Sequence, residues 1–173
     1  MIRLLTYLFL VLVLTFSFQS WTKADDIKDF QIEGIGIGDS ALDLFSESTI
    51  KNQIKSSPYP NKKYFLISKT SSKFKNYEKV QFHLKSNDDK YIIHAVSGLL
   101  YFKNNVNECY KKMDEIGNEL SNLFKNAKLT KTGFKKHQAD KSGKSKYKTY
   151  FFLFDTRDNI LVGCTDFSNE IEK

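Results

Sequence analysis

"KVQFHLKSNDDKYIIHAVSGLLYF", residues 79–102, decides the class of fold. Val80, Phe82 and Leu84 alternate with Gln81, His83 and Lys85, the period of two that belongs to a half-buried strand. Ser86-Asn87-Asp88-Asp89 supplies turn chemistry, and Lys90 to Phe102 continues as a long second strand. So short a link joins antiparallel neighbours, because parallel strands need a crossover of about a dozen residues or more. Pairing Lys85 with Lys90 would set His83 opposite Ile92 and His94 opposite Gln81.

Before this hairpin, Lys63–Lys69 is a short strand with an apolar middle, and Ser56 to Asn61, with two prolines, breaks the chain ahead of it. Asp39 or Ser40 caps a helix running to about Ile54, with Asp43 placed as in a loose capping box. Asp29–Ile37 alternates weakly, as a short strand would. After the hairpin, Val106, Cys109, Met113, Ile116, Leu120, Leu123 and Phe124 form a helical stripe within residues 104–125. Tyr147–Asp155 and Asn159–Phe167 read as two final strands joined at Thr156–Asp158. The order α-β-β-β-α-β-β implies an α+β fold, a mainly antiparallel sheet of about five strands with two helices on one face. No internal repeat is visible.

The chain opens on a basic Met1-Ile2-Arg3, followed by an apolar run from Leu4 to Phe18. Its length suits a signal-peptide core and is short for a spanning helix of about 20 residues. Thr22-Lys23-Ala24 places small residues at the −3 and −1 positions of a cleavage site. Residues 1–24 therefore read as a signal peptide, and 25–173 as a single domain; an uncleaved N-terminal anchor is the alternative. No cysteine lies near the junction to carry a lipid. The net charge of +7 becomes +5 once Arg3 and Lys23 are removed. Outside the cytoplasm, that balance fits an envelope protein or an anionic envelope surface as partner better than nucleic acid. The wealth of Phe, Tyr, Lys and Asn reflects AT-rich codons.

Export makes Cys109 and Cys164, the two cysteines of the chain, a disulfide candidate. Cys109 lies on the helical stripe, and Cys164 shares a strand face with Ile160 and Val162. Closing a loop of ~56 residues stabilises a fold by roughly 4 kcal/mol on the chain-entropy view. Two buried free thiols are the alternative reading.

Gly36-Ile37-Gly38-Asp39-Ser40-Ala41 satisfies the short dinucleotide fingerprint. That fingerprint needs a second parallel strand ending in an acid about 20 residues on. Here the next strand ends in Lys69-Thr70-Ser71 and hairpins follow. The glycines read instead as a bend that brings the first helix close to the sheet, and no cofactor is expected.

"DFQIEGIGIGDSALDLFS", residues 29–46, resembles the start of a family of small exported proteins of AT-rich marine bacteria that run F-x-I-E-G, I-G-D-S and L-D-x-F. "NECYKK" at 107–112 and "GCTDF" at 163–167 look like matching pieces of that family. The resemblance implies export and no known activity, so it carries over no site residues. The turn before the first helix is similar to that of small outer-membrane-assembly proteins, which usually carry a lipid-anchor cysteine absent here.

Candidate chemistry is sparse. His83 and His94 would lie diagonally on one hairpin face and could begin a metal site, which needs three or four ligands, but no Cys or carboxylate has motif spacing to them. No nucleophile motif such as G-x-S-x-G is present. Neither metal ligands nor catalytic residues are assigned. Lys131, Lys135, Lys136, Lys141, Lys144, Lys146 and Lys148, interleaved with Phe134 and Tyr147, could touch an anionic surface. The charge run alone shows no partner, and a solvated connector is the favoured reading of it. The expectation is an exported, periplasmic or secreted protein, a non-catalytic binding or accessory module, with a small envelope hydrolase or metal-dependent enzyme as the alternative.

Overall fold

The 79–102 hairpin forms, with a different register. Val80 faces Gly98, Phe82 faces Val96 and Leu84 faces Ile93, while His83 faces Ala95 and His94 stands in a bulge. The cause is Asp88. Its carboxylate accepts the N–H groups of Lys90 and Ile92, each at 3.0 Å, and its carbonyl accepts Tyr91 N–H. The turn therefore absorbs residues 86–92, and Lys85 does not pair with Lys90.

The structure, a computed structural model, describes residues 27–57, 59, 62–103 and 105–168. The signal segment 1–24 and its cleavage site lie outside the described residues. Among the described residues, nine strands and two α-helices follow in order. They are β1 (Gln31–Ile32), β2 (Ile35–Gly36), α1 (Glu47–Ile54), β3 (Tyr64–Thr70), β4 (Lys79–Lys85), β5 (Ile93–Leu99), α2 (Val106–Leu123), β6 (Lys128–Lys131), β7 (Lys135–Lys136), β8 (Lys146–Leu153) and β9 (Asn159–Asp166). The α+β class holds. The strands are divided, however, among a β1–β2 ribbon, a β3–β4–β5 sheet and a four-stranded sheet centred on β8, all antiparallel. Each larger sheet carries its own helix: α1 packs along β3, and α2 along β9.

β9 pairs with every residue of β8, so β6 and β7 share the opposite edge as one broken strand. At the break, Thr132 N–H still donates to Thr149 O at 2.9 Å, and Thr149 N–H donates to Thr132 Oγ1 at 3.0 Å. Lys131, Lys135, Lys136, Lys146 and Lys148 of the lysine-rich stretch thus sit in strands, while Lys141 and Lys144 lie in the connecting loop. The inclusion of β6 and β7 reveals the same order twice, a helix followed by a three-stranded meander.

The first helix is shorter than expected. Ser40 Oγ accepts only Leu42 N–H, at 3.2 Å, and caps a single 3-10 turn at Ala41–Asp43. Residues 38–41 are held to the start of β5, with Gly38 N–H on Ile93 O and Ala41 N–H on Tyr91 O. A chain bonded outward in that way cannot wind into a continuous helix. The helix starts afresh at Ser46, whose Oγ accepts Thr49 N–H. Gln53 then donates from Nε2 to Ser68 O at 3.2 Å and accepts Ser68 N–H at 2.8 Å, so its side-chain amide completes the outer edge of β3.

Two apolar clusters result. Ile50, Ile67, Val80, Phe82, Leu84 and Ile93 fill the first; Met113, Leu120, Phe124, Phe152 and Cys164 fill the second. Phe30 packs against both. Asn105 caps α2 and buried Phe124 ends it. Leu123, counted on the stripe, is partly exposed, and Gly117 takes a place on it. A Cβ at Gly117 would lie 2.2 Å from Cδ2 of Tyr150, whose hydroxyl donates to Asp114. Gly117→Ala should therefore destabilise the protein by about 1–2 kcal/mol in urea unfolding, overpacking outweighing the gain in helix propensity.

Candidate functional site

Four separate segments converge on an apolar cleft of about 370 Å³ between the two halves. The N-terminal segment supplies Ile27, Phe30, Ile32 and Ile37, and the end of the first sheet supplies Ala95 to Leu100 with Tyr77. α2 presents Cys109, Lys112, Met113 and Ile116, and β9 presents Asn159 to Gly163. Both flanking strands are sheet edges, since β5 has β4 as its sheet neighbour and β9 has β8. Phe154 N–H donates to Asp158 O at 3.0 Å. The alternation of an antiparallel ladder then turns the backbone groups of Leu161 and Gly163 away from β8.

Tyr77 is placed by a device at the glycine-rich turn. Glu33 (φ 55°) and Gly34 (φ 78°) make the β1–β2 turn, and the Glu33 carboxylate accepts the N–H groups of Lys75, Asn76 and Tyr77. These bonds, that of Lys75 first, hold the Glu33 carboxyl below its ordinary pKa. The anchored loop lays the Tyr77 ring on Gly98, where a Cβ would come within 2.4 Å of it. Burial pushes the Tyr77 phenol up. The strands around the G-x-G-x-x-A run are antiparallel: Gly36 lies in β2 and its N–H donates to Asp39 Oδ2 at 2.8 Å, while Gly38 takes a positive φ in the turn that follows.

Cys109 and Cys164 form the disulfide, with Cα atoms 5.9 Å apart, tying α2 to β9 beside the cleft. Breaking it by reduction or by Cys109→Ser with Cys164→Ser should lower stability by roughly 4 kcal/mol, measured by urea unfolding with and without reductant.

The two histidines do not converge. His83 Nδ1 meets Tyr59 Oη at 2.8 Å, and burial depresses its pKa, favouring the neutral ring. His94 is exposed, edge-on to Tyr64, above a shallow depression it shares with Asp88, whose oxygens are taken by the turn. Among the described residues no cluster of three or more His, Cys, Asp or Glu is placed to hold a metal ion.

The lysines separate into distinct settings. Lys131 Nζ lies over the Tyr150 ring at 4.4 Å, and Lys148 Nζ is 3.6 Å from Asp114. Lys135, Lys136 and Lys146 line a second depression with Tyr110, Phe134 and Asp166. Lys141 and Lys144 are exposed on the loop that joins β7 to β8.

That loop is organised by a buried carboxylate that the sequence reading passed over. Asp140 Oδ1 accepts from Ser142 N–H and Oγ–H, at 2.9 and 2.7 Å; Oδ2 accepts from Ser145 N–H at 2.7 Å and Ser168 Oγ at 3.1 Å. These donors, the Ser142 hydroxyl foremost, hold its pKa far below the usual carboxylate range. Ser145, fully buried, accepts Ser168 N–H at 2.9 Å, so the loop is pinned to the chain just past β9. The spacing Asp140-x-Ser142 is an Asx-turn signal that could have been read in advance. Because the native carboxyl is depressed, its stabilisation is present above the unfolded pKa of about 3.9 and lost as pH falls below it. Asp140→Asn should therefore unfold more easily than wild type at neutral pH, and the gap should narrow on acidification towards about pH 2, read as urea midpoints across pH.

Compared with known protein families, curated proteins and solved structures, the chain matches none.

Proposed function

We propose that the chain is an exported envelope protein, periplasmic or secreted after cleavage near Ala24, that acts as a non-catalytic binding module for a small apolar or amphiphilic ligand held in the inter-half cleft. The observation that carries this reading is the cleft itself. Its volume falls at the small end of ligand sites, about 300–1,000 Å³. At the ~30 Å³ share of a liquid water, it has room for about a dozen waters, and a methylene is of similar size. Its walls are mostly aliphatic and aromatic, which favours an alkyl chain over a polar solute. Lys112, at the wall, pairs with Glu115 at 3.4 Å on an exposed face, and offers a cation to an anionic head. The backbone groups of Leu161 and Gly163 supply the few polar contacts that fix orientation in such sites.

Export is supported by the disulfide, a bond that persists in oxidising compartments. Among the described residues, no helix is long and apolar enough to cross a membrane. Of the residues on which the hydrolase and metal-enzyme alternatives leaned, His83 meets Tyr59 and His94 meets Tyr64.

Calorimetric titration with dodecanoate, whose twelve carbons match the room in the cleft, tests the reading. Wild type should bind it with saturation. Ala95→Phe, which places a ring in the cleft outside either apolar cluster, should weaken binding roughly tenfold or more, about 1.4 kcal/mol, with little change in unfolding midpoint. Equal binding by a folded variant would reject the cleft as the site.

A further inference from the structure

We propose that the end of the second sheet nearest the start of α2 is a docking surface for an anionic lipid bilayer. The depression there measures about 480 Å³ and is lined by Tyr110, Phe134, Lys135, Lys136, Lys146 and Asp166. Phe134 stands at the break between β6 and β7, 62% exposed, edge-on to Tyr110 at 5.3 Å. Phe167, just past β9, is 46% exposed on the same end of the sheet, where Lys146 pairs in register with Asp166.

Charge complementarity selects the occupant. Among the described residues, no carboxylate lies within ion-pair distance of Lys135, Lys136 or Lys146, whereas Lys148 is engaged by Asp114. Asp140, the acid in the neighbouring loop, keeps its charge but spends both oxygens on serine donors and makes no ion pair with these lysines. Lys136 and Lys146, cross-strand partners, and Lys135 next to them are exposed residues beside a large exposed ring, with Asp166 the one carboxylate lining the depression. An aromatic tip with lysines around it matches the headgroup boundary of a bilayer, with phosphates for the cations and acyl chains for the ring. A dissolved phosphate has no use for the exposed Phe134. β7 is two residues long, so its lysines form a patch and not a track along which a nucleic-acid backbone would run. The surface is separate from the cleft, and the proposal stands without a cleft ligand.

Vesicle co-sedimentation tests it, using protein recovered from the periplasm of an expression host, with its mass recorded so that wild type and variants share one N-terminus. Wild type should bind vesicles of phosphatidylcholine mixed with phosphatidylserine, and bind them less as salt rises. Vesicles of phosphatidylcholine alone should retain much less. Lys135→Gln, Lys136→Gln and Lys146→Gln together should weaken binding to the anionic vesicles roughly a hundredfold. Lys146→Gln alone should weaken it about fivefold, which serves if the triple variant melts early. Phe134→Ser should weaken binding without changing its salt dependence, and Lys128→Gln, at the far end of β6, should bind as wild type. Equal retention by neutral vesicles, undiminished binding by the folded lysine variants, or release from the vesicles by inorganic phosphate or single-stranded DNA at constant ionic strength would each overturn the proposal.

Discussion

The bond between Cys109 and Cys164 fixes the long helix to an edge strand, and both candidate sites depend on where that helix lies. One flank of α2 sinks Met113, Leu120 and the end residue Phe124 into the second core. The adjoining flank, Lys112 and Ile116, is left to line the cleft. Its first turns carry Tyr110 to the basic depression. The missing side chain at Gly117 admits the Tyr150 ring, so the helix is keyed to β8 by shape as well as to β9 by sulfur. A rotation of α2 would disturb both keys at once.

The parts of the fold legible in the sequence are those where a single strong pattern acts alone. Val80, Phe82 and Leu84 alternate cleanly and are all fully buried. The stripe from Cys109 to Leu120 follows one helical face, and the cysteine pair needed only a compartment to be read as bonded. The register of the hairpin was hidden because one carboxylate, Asp88, captures two N–H groups and lengthens the turn. The interruption before Ser46 was hidden because its cause is tertiary: residues 38–41 are tied to the residues at the start of β5, 50 or more positions onward. β6 and β7 escaped notice since Leu129 is their one apolar residue facing the core, too little for a period of two to register. The cleft was out of reach of any local reading, because its walls come from four segments far apart in the chain. The repeated helix-and-meander order is likewise invisible without those two short strands.

The two halves share an order of elements but differ in how the helix is attached. α1 lies along β3, the strand that follows it, through Gln53 and Ile50. α2 lies along β9, the last strand of its half, through a covalent bond. That difference leaves β5 and β9 as the strands flanking the gap between the halves. Phe30 spans the gap at one end by packing on both cores, which makes the short N-terminal segment a structural tie between them.

The Gln53 side chain has a consequence for life at high concentration. An uncovered strand border is a template on which other copies of a chain can stack, the first step towards fibrils. On β3 that template is occupied: the glutamine amide imitates a peptide unit, giving and taking one bond at Ser68, and Ser57 Oγ caps Leu66 N–H at 3.1 Å. On the other sheet the β6–β7 border is interrupted and studded with lysine, which repels a second copy. The free borders of β5 and β9 line the inter-half gap. A protein built this way can be crowded with its own kind and still resist stacking along β3 and along β6–β7.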